Sequence, residues 1–110
     1  MIVIFQSQAA GDVIMFGDVA YKLMEIIGKE PGPKGIVTAE QLPEAIAQLR
    51  AAIARDKAAY AGLSEDDRPQ TEEVPDGGKR AFVSLTQRAV PLIELMEWSL
   101  KKKLPVVWGV

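Results

Sequence analysis

Short apolar, strand-like runs stand at both ends of the chain, and helix-like or polar segments fill most of the sequence between them. The first run is Ile2-Val3-Ile4-Phe5 and the last is Val106-Val107-Trp108-Gly109-Val110. β-branched and aromatic residues favour strands, and a chain end is usually ordered only where other structure holds it. The pattern therefore predicts strands over 2–6 and 105–109 that share one sheet.

Two further apolar segments are candidates for the same sheet. Ile36-Val37, after a turn region rich in glycine and proline, predicts a short strand over 35–37. Residues 13–16 fit either a buried strand or the start of a helix capped by Asp12. Both alternatives stay open for this segment.

Two segments in the first half of the chain have apolar residues at helical spacing. The first begins at Val19 and stops at Gly28, a residue type that commonly ends helices. The second opens at Thr38, where Thr38 and Gln41 form a capping-box pattern. Its apolar row is Leu42, Ile46, Leu49 and Ile53, and Gly62 is the predicted end of the helix.

The last helix opens at Ser84, where Gln87 completes a second capping box. Pro91 lies inside its apolar pattern and predicts a kink or a local break. The cations of Lys101–Lys103 suit the negative end of the helix dipole in the last turn. The fold class is therefore α+β, a small sheet packed by three main helices.

The chain of 110 residues is predicted to be one domain, 1–110. Residues 64–79 differ in composition from the rest, because they hold six acidic residues against Arg68 and Lys79, a local charge of −4. Val74 is the one aliphatic residue in this stretch, so little apolar surface is available to stabilise it. The prediction is a flexible acidic loop within the domain.

The composition limits the chemistry. The chain has no cysteine and no histidine, which excludes Ser-His-Asp and Cys-His catalysis, disulfides and His- or Cys-ligated metals. A net charge of −2 gives no basic field for nucleic acid, so no nucleic-acid partner is expected. No apolar run approaches the ~20 residues that span a bilayer, and Met1–Phe5 is too short for a signal-peptide core. We therefore expect a cytoplasmic protein with no membrane association.

Several motifs together resemble a family of uncharacterised bacterial proteins, the domain of unknown function family 1840. The most specific is the closing Val106-Val107-Trp108-Gly109-Val110. The others are Phe5-Gln6-Ser7, Asp12-Val13-Ile14-Met15, Ile26-Ile27-Gly28-Lys29, Pro31-Gly32-Pro33 with Gly35-Ile36, Glu40-Gln41-Leu42-Pro43, and Leu85 through Glu94. The resemblance implies a freestanding bacterial protein. The family has no established activity, so it implies no functional residues.

Two patterns of chemical interest have simpler explanations. The loop Gly28–Gly35 contains glycines and lysines, but their order is not that of a phosphate-binding P-loop, and its prolines lack backbone donors. The carboxylates of Asp12, Glu25, Glu44, Glu94 and Glu97 have no spacing that demands a cation, and solvated surface acids are favoured over a metal site. No cofactor or metal is predicted.

Two alternative hypotheses use the remaining polar groups. An enzyme or a small-ligand-binding protein would use Lys, Tyr, Arg and carboxylate groups, and the candidates are Asp12, Tyr21, Lys29, Arg88 and Glu94. A nucleic-acid or lipid accessory role would use Lys101–Lys103, although the helix dipole already accounts for these cations.

The two tryptophans are the candidate interface residues. Core packing is the simpler role for Trp98 and Trp108, and an aromatic contact between subunits is the functional alternative. A small sheet leaves open edges that a second subunit can pair or cover. The leading hypothesis is therefore a non-catalytic protein that acts by association with itself, as a homo-oligomer, or with a protein partner.

Overall fold

The computed structural model describes residues 1–60, 71–73, 77–81 and 83–109. Within these residues the elements follow in the order β1 (Ile2–Ser7), β2 (Ala10–Phe16), α1 (Gly17–Ile26), β3 (Gly35–Val37), α2 (Leu42–Tyr60), β4 (Thr71–Glu73), β5 (Lys79–Ala81), α3 (Leu85–Lys102) and β6 (Val106–Trp108). The α+β class predicted from the sequence is confirmed.

The main sheet has four strands in the order β2-β1-β6-β3, and all three pairings are antiparallel. The predicted sharing of one sheet by the two terminal runs is confirmed, because Phe5 pairs with Trp108 and Gln6 with Val107. Residues 13–16, for which a buried strand and the start of a helix were both open, form a strand. They belong to β2, where Val13 pairs with Phe5 and Phe16 with Ile2.

The helices lie on one side of this sheet. Helices α1 and α3 contact it, and α2 packs against both of them. One cluster of buried side chains joins the inward-facing residues of the strands to all three helices. Its fully buried members include Phe5, Leu23, Leu49, Leu92 and Trp108. We call this covered side of the sheet the inner face.

Helix α1 ends where the sequence predicts. Gly28 takes the left-handed conformation, with φ of 79°, and its N–H donates to the carbonyl of Glu25. The following N–H, on Lys29, donates to the carbonyl of Met24. Glycine adopts this conformation without a Cβ penalty, which explains its place at the helix end.

Helix α2 begins later than predicted, at Leu42 and not after Thr38. Residues 39–41 are a turn, in which the side-chain oxygen of Gln41 accepts from the N–H of Thr38 at 3.1 Å. The predicted pairing of these two residues is therefore present in part, but it closes a turn ahead of the helix. Pro43 has no N–H to donate to the carbonyl of Ala39, so a helical hydrogen bond is missing between that of Leu42 to Thr38 and that of Ala45 to Gln41. The predicted end at Gly62 lies outside the described residues.

Helix α3 has the predicted capping box, in which Ser84 accepts from the N–H of Gln87 at 3.2 Å and Gln87 accepts from the N–H of Ser84 at 3.3 Å. The helix is continuous through Pro91, without the local break that was one of its two expected effects. It ends at Lys102, in the lysine run.

The predicted acidic loop, 64–79, is not loop throughout. Residues 71–73 form β4, which pairs antiparallel with β5 in a separate two-stranded sheet. In this ribbon Glu72 pairs with Arg80 and Glu73 with Lys79, so the predicted loop contains a strand at 71–73. Residues 64–70 and 74–76 of the prediction lie outside the described part of the chain.

Candidate interaction surface

The side of the sheet that faces away from the helices is apolar. Five large side chains on it are substantially exposed: Ile2 (62%), Ile4 (39%), Ile14 (64%), Phe16 (50%) and Ile36 (45%). We call these five residues the outer face. The largest exposed apolar patch of a monomeric protein is often functional, which makes this face a candidate interaction surface.

Strand register places the outer-face residues on the same side of the sheet. Ile2 pairs with Phe16 and Ile4 pairs with Ile14, so these four side chains form two cross-strand pairs on β1 and β2. Val107 of β6, which is half-buried, links β1 to β3 because it pairs with Gln6 on one side and Ile36 on the other. Paired residues project from the same side of a sheet, so this side has apolar residues on all four strands, with the polar Gln6 between the β1–β2 pairs and Val107.

An ion pair lies beside this face. The guanidinium of Arg80, from the ribbon, contacts both carboxylate oxygens of Asp18 at 2.7 and 3.3 Å. The same guanidinium lies 4.7 Å from the centre of the Phe16 ring, in a cation–π contact. Burial raises the pKa of the Asp18 carboxyl, but the hydrogen bonds and charge of Arg80, with backbone donors, outweigh it and set the pKa below 3.8. The ion pair thus ties the ribbon to the first turn of α1.

The two tryptophans named as candidate interface residues occupy different environments. Trp108 is 1% exposed and packs edge-to-face on Phe5, with ring centres 5.4 Å apart. Its indole N–H donates to the carbonyl of Gly32 at 3.2 Å, and a Cβ on Gly35 would stand 2.0 Å from its ring. Trp98 is 50% exposed, with the Lys101 amine 5.3 Å from its ring centre. Only Trp98 therefore offers substantial surface to a partner.

The candidate ligand residues are dispersed over the fold. Asp12 is exposed on β2, and Tyr21 on α1 has its hydroxyl 3.7 Å from the sulfur of Met1. Lys29 donates to the side-chain oxygen of Gln41 at 2.8 Å. Arg88 and Glu94 line separate depressions, one between β2 and α3 and one beside Trp98. The structure does not bring the five into one site.

The other candidate chemistry rests on acids and lysines. Across the described ranges, no group of three or more acidic side chains is placed to hold a metal ion. In the lysine run, Lys102 donates to the carbonyl of Ala9 at 3.2 Å, and Lys103 takes the left-handed conformation that ends α3. Helices long and apolar enough to cross a bilayer are absent from the part of the chain that the structure describes.

The exposed apolar side of the sheet was not predicted from the sequence, although the sequence contains a pattern that indicates it. Ile2-Val3-Ile4-Phe5 and Val13-Ile14-Met15-Phe16 are unbroken apolar runs, without the alternation of polar residues expected on a solvated sheet face. An unbroken run is typical of a strand that is covered on both sides. The helices cover one side, so the runs themselves indicate a need for a second layer.

A family model for a domain of unknown function, DUF1840, matches residues 1–108. The chain therefore belongs to this family, and the resemblance seen in its motifs is confirmed. No curated protein and no solved structure matches the chain.

Proposed function

We propose that this member of the DUF1840 family acts by association and not by catalysis, through a face-to-face contact between the outer faces of two copies of the chain. One observation carries the proposal: five large apolar side chains, 39–64% exposed, share one side of a sheet whose other side packs against the helices. Packing a second sheet on the patch would complete a two-sided core.

The size of the outer face sets the expected strength of the contact. The four strands have seven, six, three and three residues, and at ~3.4 Å per residue and ~4.8 Å spacing they cover about 310 Å². This flat area is about two fifths of the ~800 Å² per partner in a standard interface. The contact therefore falls in the weak, reversible class, and we expect a dissociation constant in the micromolar range.

A second copy is the favoured occupant because the outer face complements itself. None of its five residues is charged, and Asp12, the charged residue on the same side of β2, lies beyond Ile14 toward the β1–β2 turn, so a two-fold contact centred on the isoleucines opposes no like charges at its centre. Sheets that pack face to face lie about 10 Å apart with interdigitated side chains, a geometry that isoleucine and phenylalanine rows satisfy. The proposal retains the single domain, 1–110, and the cytoplasmic location expected from the sequence.

The test is sedimentation velocity, or size-exclusion chromatography with light scattering, across the micromolar range. Wild-type protein is expected to shift from monomer to dimer as its concentration rises. Ile14→Glu, at the most exposed outer-face residue, should remain monomeric because a charge is costly to bury in an apolar contact.

Trp98→Glu is the matched control, because it replaces another exposed apolar residue, on α3, by the same charge. It should associate like the wild type. A wild-type chain that remains monomeric over this range contradicts the proposal. Loss of the dimer in Trp98→Glu but not in Ile14→Glu would move the contact to α3, and a stable hetero-complex on the outer face would replace the second copy by another protein.

A further inference from the structure

We propose that the second copy packs on the outer face in one register, in which Ile36 of each copy fills a depression on the other. The two-fold axis of this dimer lies along a diagonal of the sheet, from Phe16 through Ile4 to Val107. This register rests on the proposed function, and it gives each copy a residue in a site on its partner.

The depression lies at one end of the sheet, on the same side as the outer face. It has a volume of about 420 Å³ and is lined by Gln6, Ser7, Gln8, Leu104, Pro105 and Val107. Gln6 pairs with Val107, which in turn pairs with the exposed Ile36, so these side chains share the outer side. Half of the lining is apolar and none of it is charged, so an apolar side chain can enter without removing a charge from water.

Strand register sets three apolar residues of this side on one line. Phe16 of β2 pairs with Ile2, and Ile4 is two residues further along β1. Val107 of β6 pairs with Gln6, which is two residues beyond Ile4. Each step is therefore one strand across, ~4.8 Å, and two residues along, ~6.8 Å. Phe16, Ile4 and Val107 thus form a straight diagonal, which is the proposed axis.

Two further outer-face residues exchange across this diagonal. Ile2 and Ile14 lie on opposite sides of it, each about 4 Å away, so a rotation by 180° about the diagonal places Ile2 of one copy over Ile14 of the other. The strands of the two sheets then cross at about 70°, close to the orthogonal class of sheet packing. Apolar residues therefore meet apolar residues along the axis and on both sides of it.

The same rotation carries Ile36 to the depression. Ile36 is next to Val107 on β3, about 4 Å from the diagonal. Its rotated position lies between β1 and β6 of the other copy, about one residue beyond the Gln6–Val107 pair, where the depression opens. Asp12, the charged residue on this side of β2, rotates to a point outside the four strands of the partner, so the sheet contact buries no charge.

A second register fits less well. An axis parallel to the strands, between β1 and β2, would exchange each residue with its pairing partner, so that Ile4 stands over Ile14. Strands β6 and β3 would then extend past the sheet of the partner, and Ile36 and the depression would stay open to water. The diagonal register covers both.

The first test changes the depression and its occupant, with the dimer followed by sedimentation velocity. Ile36→Glu should weaken dimerisation at least tenfold, because it would bring a charge into the depression. Gln8→Phe should also weaken it at least tenfold, although it adds apolar surface, because the ring would occupy the depression. Ala47→Phe, at an exposed position of α2, adds the same side chain elsewhere and should dimerise like the wild type. Unchanged dimerisation in Ile36→Glu, or a stronger dimer in Gln8→Phe, would overturn the assignment, and thermal melts verify that each variant is folded.

The second test reads the register by cross-linking. The chain has no cysteine, so one introduced cysteine per copy is the sole target of a thiol-specific linker. Face-to-face sheets lie ~10 Å apart, a distance that a short bis-maleimide spans and a disulfide does not. Ile4→Cys lies at or next to the axis in both registers, so its cross-linking to itself reports the dimer.

An equimolar mixture of Ile36→Cys and Gln8→Cys, analysed by intact mass, reports the register. These positions face each other in the diagonal register, whereas the parallel register separates them by three strand spacings, ~14 Å, in addition to the gap between the sheets. The mixed cross-link is expected. Cross-linking of Ile4→Cys without the mixed product would overturn the diagonal register and leave the dimer intact. Absence of both products, with a wild-type chain that stays monomeric, would contradict the self-association itself.

Discussion

The inner and outer faces of the sheet consist of similar apolar residues but differ in solvent exposure. On the inner face, Phe5, Val37, Val106 and Trp108 are at most 1% exposed. On the outer face, Ile14 and Phe16 are 64% and 50% exposed, although they are as apolar. The difference arises because α1 and α3 cover one side only.

This comparison shows that the apolar character of a strand's side chains favours their burial but does not determine whether other elements cover them. Complete burial of a side chain such as isoleucine stabilises by roughly 1.5–3 kcal/mol relative to exposure. The inner face obtains this stabilisation on folding, whereas most of it remains available on the outer face. A second layer from another molecule is the direct way to obtain it.

The largest expected effect is on the inner face. Trp108→Ala should lower the free energy of unfolding by about 3–5 kcal/mol, because it leaves a cavity beside Phe5 and removes the hydrogen bond to Gly32. Trp98→Ala, its control, should change it by less than about 0.5 kcal/mol, because Trp98 is half exposed. Urea unfolding followed by circular dichroism measures both, and similar losses would show that the two sites do not differ in packing.

A smaller effect is expected beside the outer face, at Asp18. Its pKa in the folded protein lies below 3.8, so its stabilising contribution is present above pH 3.8 and is lost as the pH falls through the folded pKa. Since the ion pair with Arg80 is partly exposed, we expect about 0.5 kcal/mol.

The measurement compares the free energy of unfolding of wild type and Asp18→Asn from pH 6 to pH 2. The wild type should be more stable above about pH 4, and the difference should disappear toward the lowest pH. In an Arg80→Gln background, Asp18→Asn should have a weaker effect at every pH. A difference that grows on acidification would contradict the assigned direction of the pKa shift.

The smallest effect is expected on the outer face itself. Ile14→Thr should change the unfolding free energy of the monomer by less than about 0.5 kcal/mol, because Ile14 is already mostly exposed. Val106→Thr, on the inner face, introduces the same hydroxyl at a fully buried position and should cost about 1–3 kcal/mol. Both are measured by urea unfolding at a concentration where the chain is monomeric. Equal losses would remove the distinction between the two faces.

Local patterns predicted much of the fold. The terminal runs and Ile36-Val37 are β-rich over a few residues, and Gly28 and Ser84 mark helix ends by chemistry that acts within one turn. The predicted start of α2 was wrong, because Pro43 lies inside a pattern that otherwise favours a helix from Thr38. The β4–β5 ribbon was missed because its residues are polar, and its pairing depends on a partner strand.

The candidate surfaces were harder to predict because they combine distant parts of the chain. Arg88 was named as a ligand residue, but its place beside β2 follows from the packing of α3 on the sheet. Ile2 and Phe16 come together through strand register, and no local feature of either residue indicates which side of the sheet it faces.

The sequence by itself determined the α+β class, the strand character of both ends, the end of α1, the limits of α3 and the absence of histidine and cysteine chemistry. These properties depend on residue type and short-range spacing. The tertiary structure alone decided which side of the sheet is covered, that Trp108 is buried while Trp98 is exposed, and that β2 is an edge strand beside a groove. The physical reason is that burial and edge position belong to the assembled layers, and the same apolar residue is core or surface according to what packs on it.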